Sequence, residues 1–291
     1  MANRSLGRRR DLSYMWFLLP VILFLGMAVV IPIIFLFVLS FRGWILIEPG
    51  SNVFVGLSNY SRMLRDGRFW NAVRVALLLG GISVFFQMLI GFSLAYMLNR
   101  LKQYQTLVRS LFVLPMVLPD VIIGVMWKVL FTPKLGGVNY YLGLIGLEGP
   151  DWFGNPINAL ITIIVAATWQ WFPFVMLTLS AALESLPTEP FEAARIDGAS
   201  AWQELIHITL PLLKPAIMVV LLLRVIFILK YFGLIYTMTG GGPGSSTEPM
   251  NFYAYTTTFQ YAQVSYGASL GVTIFLIILV LTFFIKKVEH A

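Results

Sequence analysis

The residues best suited to bind a ligand lie inside long apolar stretches, where polar side chains are costly and usually functional. Gln170, Trp171 and Phe174 surround a proline in one such stretch, and Arg224 and Lys230 lie in another. An amide can hydrogen-bond a hydroxyl group, and flat aromatic rings suit the apolar face of a sugar. Helix packing around a proline kink also explains the first three residues and is the simpler interpretation, so both interpretations stay open at this point.

Other kinds of chemistry find no support in the pattern. The chain has no cysteine, which excludes disulfides and thiolate metal sites. His207 and His290 are too far apart in sequence to indicate a ligand pair. The glycine-rich segment 240–247 lacks the lysine of a nucleotide-binding loop, and we interpret it as a flexible turn facing an external protein. No nucleophile, base and orienting group occur at a recognisable spacing, so we expect neither a catalytic nor a metal site.

Composition indicates a membrane protein, because 58% of the 291 residues are hydrophobic and only 11% are charged. A helix needs about 20 apolar residues to cross the hydrocarbon core. Six stretches qualify as spans: Tyr14–Phe41, Trp70–Leu98, Leu111–Phe131, Ile157–Leu183, Ala216–Met238 and Tyr266–Ile285. The first is too long for the core of a signal peptide and has no small-residue cleavage site, so we expect it to be retained.

Charge predicts that both chain ends are cytoplasmic. The segments on that side would carry eleven basic residues: Arg4, Arg8, Arg9, Arg10, Arg100, Lys102, Arg109, Arg195, Lys214, Lys286 and Lys287. The outer segments would carry five: Arg42, Arg62, Arg65, Arg68 and Lys134. The positive-inside rule therefore places residues 1–13 and 286–291 in the cytoplasm, with 42–69 as an outer, amphipathic interfacial segment. Residues 70–285 form the core with five further spans.

The loop Leu186–Pro211 between the fourth and fifth spans then lies in the cytoplasm. Thr188 can cap one short helix, and Ser200 with Gln203 can form a capping box for a second. Gly198 can adopt the left-handed conformation that ends the first helix. Local physics alone also allows an ordinary amphipathic connector.

The spacing within this loop is more specific. Glu192-Ala193-Ala194 is followed after three residues by Gly198 and after nine more by Ile208-Thr209-Leu210-Pro211. This pattern resembles the EAA loop in membrane subunits of ATP-binding-cassette (ABC) importers that depend on an external binding protein. Phe54–Tyr60 and Leu234–Pro243 resemble segments of the carbohydrate branch, which includes maltose-transporter F-type and glycerol-phosphate-transporter A-type permeases. The similarity covers roughly residues 14–285.

The resemblance implies an all-α integral membrane protein with six transmembrane helices, the type I ABC importer permease fold and a cytoplasmic EAA coupling loop. In that family the short loop helix docks into a cleft on a nucleotide-binding subunit and moves the transmembrane bundle. The coupling residues implied here are Glu192, Ala193, Ala194, Asp197 and Gly198.

The resemblance also implies partners and a location. We expect a second, non-identical permease, two ATPase subunits, an external solute-binding protein, a carbohydrate solute and membrane lipid, and no nucleic acid. The chain itself would bind no cofactor, since ATP and Mg²⁺ belong to the ATPase subunits, and it would lie in the bacterial inner membrane. The alternative, a secondary transporter driven by an ion gradient, predicts an internal repeat, which the sequence does not show.

In related sugar permeases the stretch around Gln170 and the middle of the fifth span line the solute pathway. The resemblance therefore implies this role for Gln170, Trp171, Phe174, Arg224, Phe227 and Lys230. Related permeases also carry acidic neighbours near such cations, whereas here those neighbours are Phe227 and Gly233. A positive cavity that favours a carboxylate or phosphate is one hypothesis. A structural pairing of the cations with Asp120 or with the partner permease is the other.

Overall fold

The computed structural model describes residues 3–101 and 105–289, with side chains for 18–99, 101 and 105–283. Lys102 and residues 1, 2, 290 and 291 of the predicted cytoplasmic ends lie outside the described residues, as do the side chains of 3–17, Arg100 and 284–289. Within the described part the chain is helical, with no strand and one isolated antiparallel bridge between Arg42 and Phe54.

The described helices are numbered in chain order. They are α1 (Asn3–Ser40), α2 (Ser58–Arg65), α3 (Gly67–Arg100), α4 (Gln105–Val117), α5 (Asp120–Leu130), α6 (Gly137–Leu144), α7 (Pro156–Glu184), α8 (Glu189–Ile196), α9 (Ala201–Glu204), α10 (Leu210–Ile228), α11 (Gly233–Met238), α12 (Met250–Tyr255) and α13 (Val264–Glu289). Two π-helical turns, Leu205–Thr209 and Thr256–Gln260, complete the regular structure.

Five of the described helical segments are long and apolar enough to cross a membrane, and a sixth span results if one bent pair counts as one. The five segments are Leu18–Ser40, Gly67–Asn99, Pro156–Glu184, Ala201–Ile228 and Val264–Phe283. The bent pair consists of α4 and α5, which meet at 95°. This number agrees with the six spans predicted from the sequence.

Two predicted spans are broken in the structure. The stretch Leu111–Phe131 contains the sharp bend between α4 and α5 because Pro119 has no N–H and disfavours helical geometry at the residue before it. The stretch Ala216–Met238 leaves helical geometry between α10 and α11. In that break Asn251 donates a 2.6 Å hydrogen bond to the carbonyl of Tyr231, which no longer has a helical partner.

The described chain divides into two compact units, the first of which comprises the residues up to Arg65 and Ala254–Thr273. Here the segment after α1 pairs with the start of α13, since Trp44 and Ser265 exchange two hydrogen bonds of 3.0 and 3.1 Å. In α2, Met63 is buried while Leu64 is exposed. The helix is therefore amphipathic, as the sequence indicates.

The second unit comprises Asp66–Tyr253 and the rest of α13, and its core lies between α3 and α7. A Cβ atom added at Gly91 of α3 would lie 2.6 Å from Cβ of Val175 on α7. A side chain at this position would force the helices apart, so the glycine sets how closely they pack. Apolar side chains from α3, α5, α7, α10 and α11 fill the surrounding core, among them Leu79, Ile123, Ile163, Ile228 and Leu234.

Candidate functional site

The loop between α7 and α10 carries a short helix, α8, at the predicted position. Thr188 is the residue that precedes this helix, but its side chain accepts no capping hydrogen bond because its own backbone is already helical, with φ −82° and ψ −25°. The predicted Thr188 cap is therefore wrong. Glu189 and Glu192 lie in the first turn, where negative charge complements the helix dipole.

The end of α8 is a Schellman motif. Ala199 donates a 2.9 Å backbone hydrogen bond to the carbonyl of Ala194, and Gly198 donates one of 3.2 Å to that of Arg195. Gly198 has φ +76°, in the left-handed region where other residues are disfavoured. The prediction that Gly198 ends this helix is confirmed.

The second loop helix, α9, begins with the predicted capping box. Gln203 accepts a 2.8 Å hydrogen bond from the backbone N–H of Ser200, and its own N–H donates to the hydroxyl of Ser200. The helix does not remain separate, however, because the π-helical turn joins it to α10. The missing N–H of Pro211 and the bulk of its ring favour such a turn over a regular helix. The prediction of two short helices holds only for α8.

The surface of α8 is open for contact by another protein. Ile196 is 86% exposed, and Trp202 on α9 is 67% exposed, so two large apolar side chains of this loop are accessible. Of the five predicted coupling residues only Ala194 is partly buried, and nothing lies within 4 Å of a Cβ atom placed on Gly198. The loop thus presents charged, small and apolar groups around the turn at Gly198.

A cavity of about 840 Å³ separates α8 from the ends of the neighbouring helices. Asn99 of α3 and Glu184 of α7 line it from one side, and Phe191, Glu192 and Arg195 line it from the loop side. No residue of α8 is fully buried, although Pro190, Phe191 and Ala194 are partly buried. Most of the surface of the helix is therefore accessible to another protein in the single chain.

The carboxylate at the end of α7 has a partner. Glu184 pairs with Arg109 of α4, and its side chain remains 42% exposed to solvent. Arg109 is 75 residues away along the chain and reaches Glu184 through the packing of α4 on α7, so local sequence does not indicate this pair.

Inside the apolar part, Gln170 joins α7 to the bend of the third span. Its side chain is fully buried and donates a 2.7 Å hydrogen bond to the carboxylate of Asp120. Asp120 is the first residue of α5, where the positive end of the helix dipole stabilises negative charge. Asp120 is thus bound by an amide and not by a cation.

Arg224 is held by a residue that sequence analysis missed. Its Nε donates a 2.9 Å hydrogen bond to Gln87 of α3, and Gln87 in turn donates one of 3.0 Å to the carbonyl of Ala167 on α7. The guanidinium carbon also lies 4.6 Å from the ring centroid of Trp171, a cation–π distance. Gln87 could have been found as the one amide in the middle of the second span. The direct pairing of Arg224 with Asp120 is absent among the described contacts.

The aromatic candidates form one cluster. Trp171 and Phe227 stack with ring centroids 6.1 Å apart and an interplanar angle of 11°, and Phe174 meets the edge of Trp171. Phe227 is partly exposed, so this stack reaches the surface of the single chain. Lys230 is exposed as well, and its side chain forms no ion pair or cation–π contact with these residues in the described structure. The structure therefore brings together five of the six predicted pathway residues and leaves Lys230 apart.

The glycine-rich segment after α11 is held tightly in place. Thr247 is fully buried and donates a 2.8 Å hydrogen bond to the carbonyl of Gly242 within the turn. Glu248 forms a two-pronged ion pair with Arg68 at the start of α3, with distances of 2.7 and 3.0 Å. The interpretation of this segment as a flexible turn is therefore wrong. The sequence does not reveal the anchoring, because Arg68 lies 180 residues away from Glu248.

These features describe an integral membrane subunit with an exposed loop helix for a partner protein and a polar, aromatic cluster within its spans. Residues 87–290 match the family described as "Binding-protein-dependent transport system inner membrane component". The chain belongs to this family of ABC importer permeases.

Related proteins match over most of their length. The trehalose/maltose transport system permease protein MalF of Thermococcus litoralis is 34% identical over 276 residues, covering 95% of this chain and 92% of the relative. The sulfoquinovosyl glycerol transport system permease protein SmoG of Agrobacterium fabrum is 34% identical over 258 residues, covering 89% and 84%. Both support the carbohydrate branch that the sequence motifs indicate.

A solved structure shows the same fold. A chain of a bacterial ABC transporter involved in the import of the acidic polysaccharide alginate superposes with a TM-score of 0.85 at 26% identity, covering 99% of both chains. The predicted type I ABC importer permease fold is confirmed. The prediction that the chain is a transport subunit and not an enzyme follows from the family as well.

Proposed function

We propose that this chain forms part of the transmembrane pathway of a carbohydrate importer and that α8 receives the movement of an ATPase subunit. The observation that carries the proposal is the exposed α8, which ends at Gly198 and presents the apolar side chain of its last residue, Ile196. The Schellman motif at Gly198 hydrogen-bonds the last carbonyl groups of α8 and so stabilises the end of the helix. Docking on it therefore displaces the helix as a rigid body instead of unfolding it.

The names of related proteins support a carbohydrate solute. MalF of Thermococcus litoralis is named for trehalose and maltose, and SmoG of Agrobacterium fabrum for sulfoquinovosyl glycerol. The alginate transporter was also solved in complex with an alginate pentasaccharide-bound periplasmic protein, with a TM-score of 0.83 at 25% identity. An ion-gradient transporter would have no use for the loop helix.

The complete transporter then contains several proteins. This chain pairs with a second, non-identical permease, and two ATPase subunits bind ATP and Mg²⁺ on the cytoplasmic side. An external solute-binding protein delivers the solute to the outer loops. The chain spans the bacterial inner membrane with both termini and α8 in the cytoplasm, as the distribution of Lys and Arg indicates.

The cluster around Trp171 lines the solute pathway in this proposal. Stacked aromatic rings can bind the apolar face of a sugar, and Asp120 and Gln170 can hydrogen-bond its hydroxyl groups. The partly exposed Phe227 ring extends the stack toward the surface that the second permease would cover.

Coupling is tested in a reconstituted complex by solute-stimulated ATPase activity. We expect Ile196→Ala to lower this activity, because removing an apolar contact weakens docking of the ATPase subunit, while the fold of α8 is unaffected. Leu135→Ala is the matched control, since Leu135 is an equally exposed aliphatic residue in a loop predicted to lie outside. Equal activities of the two variants and the unmodified complex would contradict the coupling role.

Sidedness is tested by labelling single cysteines in intact cells and in inverted vesicles. Because the chain has no cysteine, Ile196→Cys and Leu135→Cys each introduce the only reactive thiol. A membrane-impermeant reagent should reach residue 135 in cells and residue 196 only in inverted vesicles. Labelling of residue 196 from outside would reject the proposed orientation.

A further inference from the structure

The guanidinium of Arg224 has unused hydrogen-bonding capacity. Its Nε is bound to Gln87, but Nη1 and Nη2 form no well-formed hydrogen bond among the described residues although the side chain is fully buried. Buried charged donors normally have partners, because an unpaired one costs substantial free energy. A buried guanidinium with free donor groups is a candidate for binding an anion.

Further donors surround the guanidinium. The indole N–H of Trp171 and the hydroxyl of Tyr231 are also buried without a well-formed hydrogen bond, and Tyr231 lies beside both Arg224 and Trp171. Each of these groups can donate to a negatively charged oxygen. Together with Nη1 and Nη2 they supply four donor atoms on neighbouring side chains.

The nearby acid does not neutralise this cation. Asp120 is close enough to interact electrostatically with Arg224, but Nη1 and Nη2 form no hydrogen bond to it. Its Oδ1 accepts from Gln170 instead. Asp120 therefore leaves the guanidinium free for another anion and offers acceptor capacity for hydroxyl groups of the same ligand.

We propose that Nη1 and Nη2 of Arg224 bind a carboxylate of an acidic carbohydrate during its passage. The planar fork of a guanidinium matches the two oxygens of a carboxylate better than a neutral hydroxyl group. Trp171 and Phe227 stack beside this site and bind the sugar ring. This inference rests on the proposed function and specifies the class of solute.

Arg224 has no exposed surface in this state, so the carboxylate reaches it only after the aromatic stack moves. Phe227 lies one turn along α10 from Arg224 and is stacked on Trp171, which itself contacts the guanidinium. Movement of α10 against α7 would separate these rings. Access to the anion site is thereby linked to the conformation of the bundle.

The test uses the complete reconstituted transporter with its binding protein. Uptake is measured for an oligosaccharide that contains uronic acid and for its carboxyl-reduced, neutral counterpart, each at saturation of the binding protein. The affinity of the binding protein for both solutes is measured separately. We expect Arg224→Gln to lower the maximal uptake of the acidic solute by about tenfold or more, since a charge-assisted hydrogen bond is lost. Arg224→Lys should restore part of it, and uptake of the neutral solute should change little.

Lys230→Gln is the matched control, because Lys230 is a cation near the end of the same helix that forms no ion pair or cation–π contact with the cluster in the described structure. If the complex with Arg224→Gln does not assemble, the comparison of acidic and neutral solute uptake by the unmodified complex tests the proposal by itself. Uptake of the neutral solute only, or equal loss of both solutes in Arg224→Gln, would overturn the acidic specificity and leave the carbohydrate importer intact. Absence of ATPase stimulation by either solute in an assembled complex would overturn the proposed function itself.

Discussion

Removing Arg68 should loosen the segment after α11 by an amount that the structure allows us to estimate. Its ion pair with Glu248 joins a carboxylate that is 2% exposed to a guanidinium that is 33% exposed. Breaking a fully buried pair costs about 3–5 kcal/mol because the remaining charge is stranded. Since Arg68 retains solvent contact, screening reduces the loss, and we expect Arg68→Met to cost about 2–3 kcal/mol.

Amide hydrogen exchange measures this loss of stability within the turn itself. The backbone N–H of Thr247 donates a 3.1 Å hydrogen bond to Gly241 and exchanges only when the turn opens. A loss of about 2–3 kcal/mol corresponds to exchange that is roughly 30- to 150-fold faster, at a factor of ten for about 1.4 kcal/mol. The measurement is made by mass spectrometry on peptides that cover residues 239–248.

Two further variants test whether the ion pair between Arg68 and Glu248 holds the turn. Adding Glu248→Gln to Arg68→Met should recover much of the protection, because the stranded charge is removed. Arg65→Met is the control, since Arg65 is exposed and has no side-chain partner among the described residues. Unchanged exchange in Arg68→Met, or equal acceleration in Arg65→Met, would show that the ion pair does not hold the turn.

Three shorter predictions concern the interior and the loop. Gly91→Ala should lower the melting temperature of the purified protein, because the new Cβ would lie 2.6 Å from Val175. Gly81→Ala in the same helix places its Cβ in open space and should leave the melting temperature unchanged. Equal melting temperatures of the two variants would contradict the close packing at Gly91. Gln87→Leu should cost about 1–3 kcal/mol of stability by leaving Nε of Arg224 unpaired, whereas Gln87→Glu keeps an acceptor and should be tolerated better. Gly198→Ala should lower the stability of the end of α8 by about 1–2 kcal/mol, because residue 198 has a positive φ, and should speed hydrogen exchange at the Ala199 N–H. Gly198→Asn should have a smaller effect, since asparagine tolerates this conformation better. Identical effects of the two variants would refute the argument from the backbone.

The sequence predicted the features that depend on local spacing. Hydrophobic runs indicated the number of spans, and Gly198 and the pair of Ser200 and Gln203 predicted the helix end and the capping box. These features follow from short-range backbone geometry, which a single segment determines. The motif spacing of the loop led to the correct family through its resemblance to the EAA loop.

Features that depend on contacts between distant segments were not predictable in this way. The pairing of Glu184 with Arg109 and the anchoring of the glycine-rich turn by Arg68 require knowledge of which helices pack together. The bond between Gln87 and Arg224 spans 137 residues. Pro119 was visible in the sequence, but a proline inside an apolar run predicts a kink as readily as the 95° bend that forms.

The π-helical turn between α9 and α10 has a mechanical consequence. It makes residues 201–228 one continuous rod of 28 residues, about 40 Å long at 1.5 Å per residue. Trp202 lies near one end of this rod and Arg224 near the other. A tilt of about 5° at one end would displace the opposite end by roughly 4 Å, more than the radius of an α-helical backbone. A movement near Trp202 that tilts this segment as one body would therefore also move the buried side chains around Arg224.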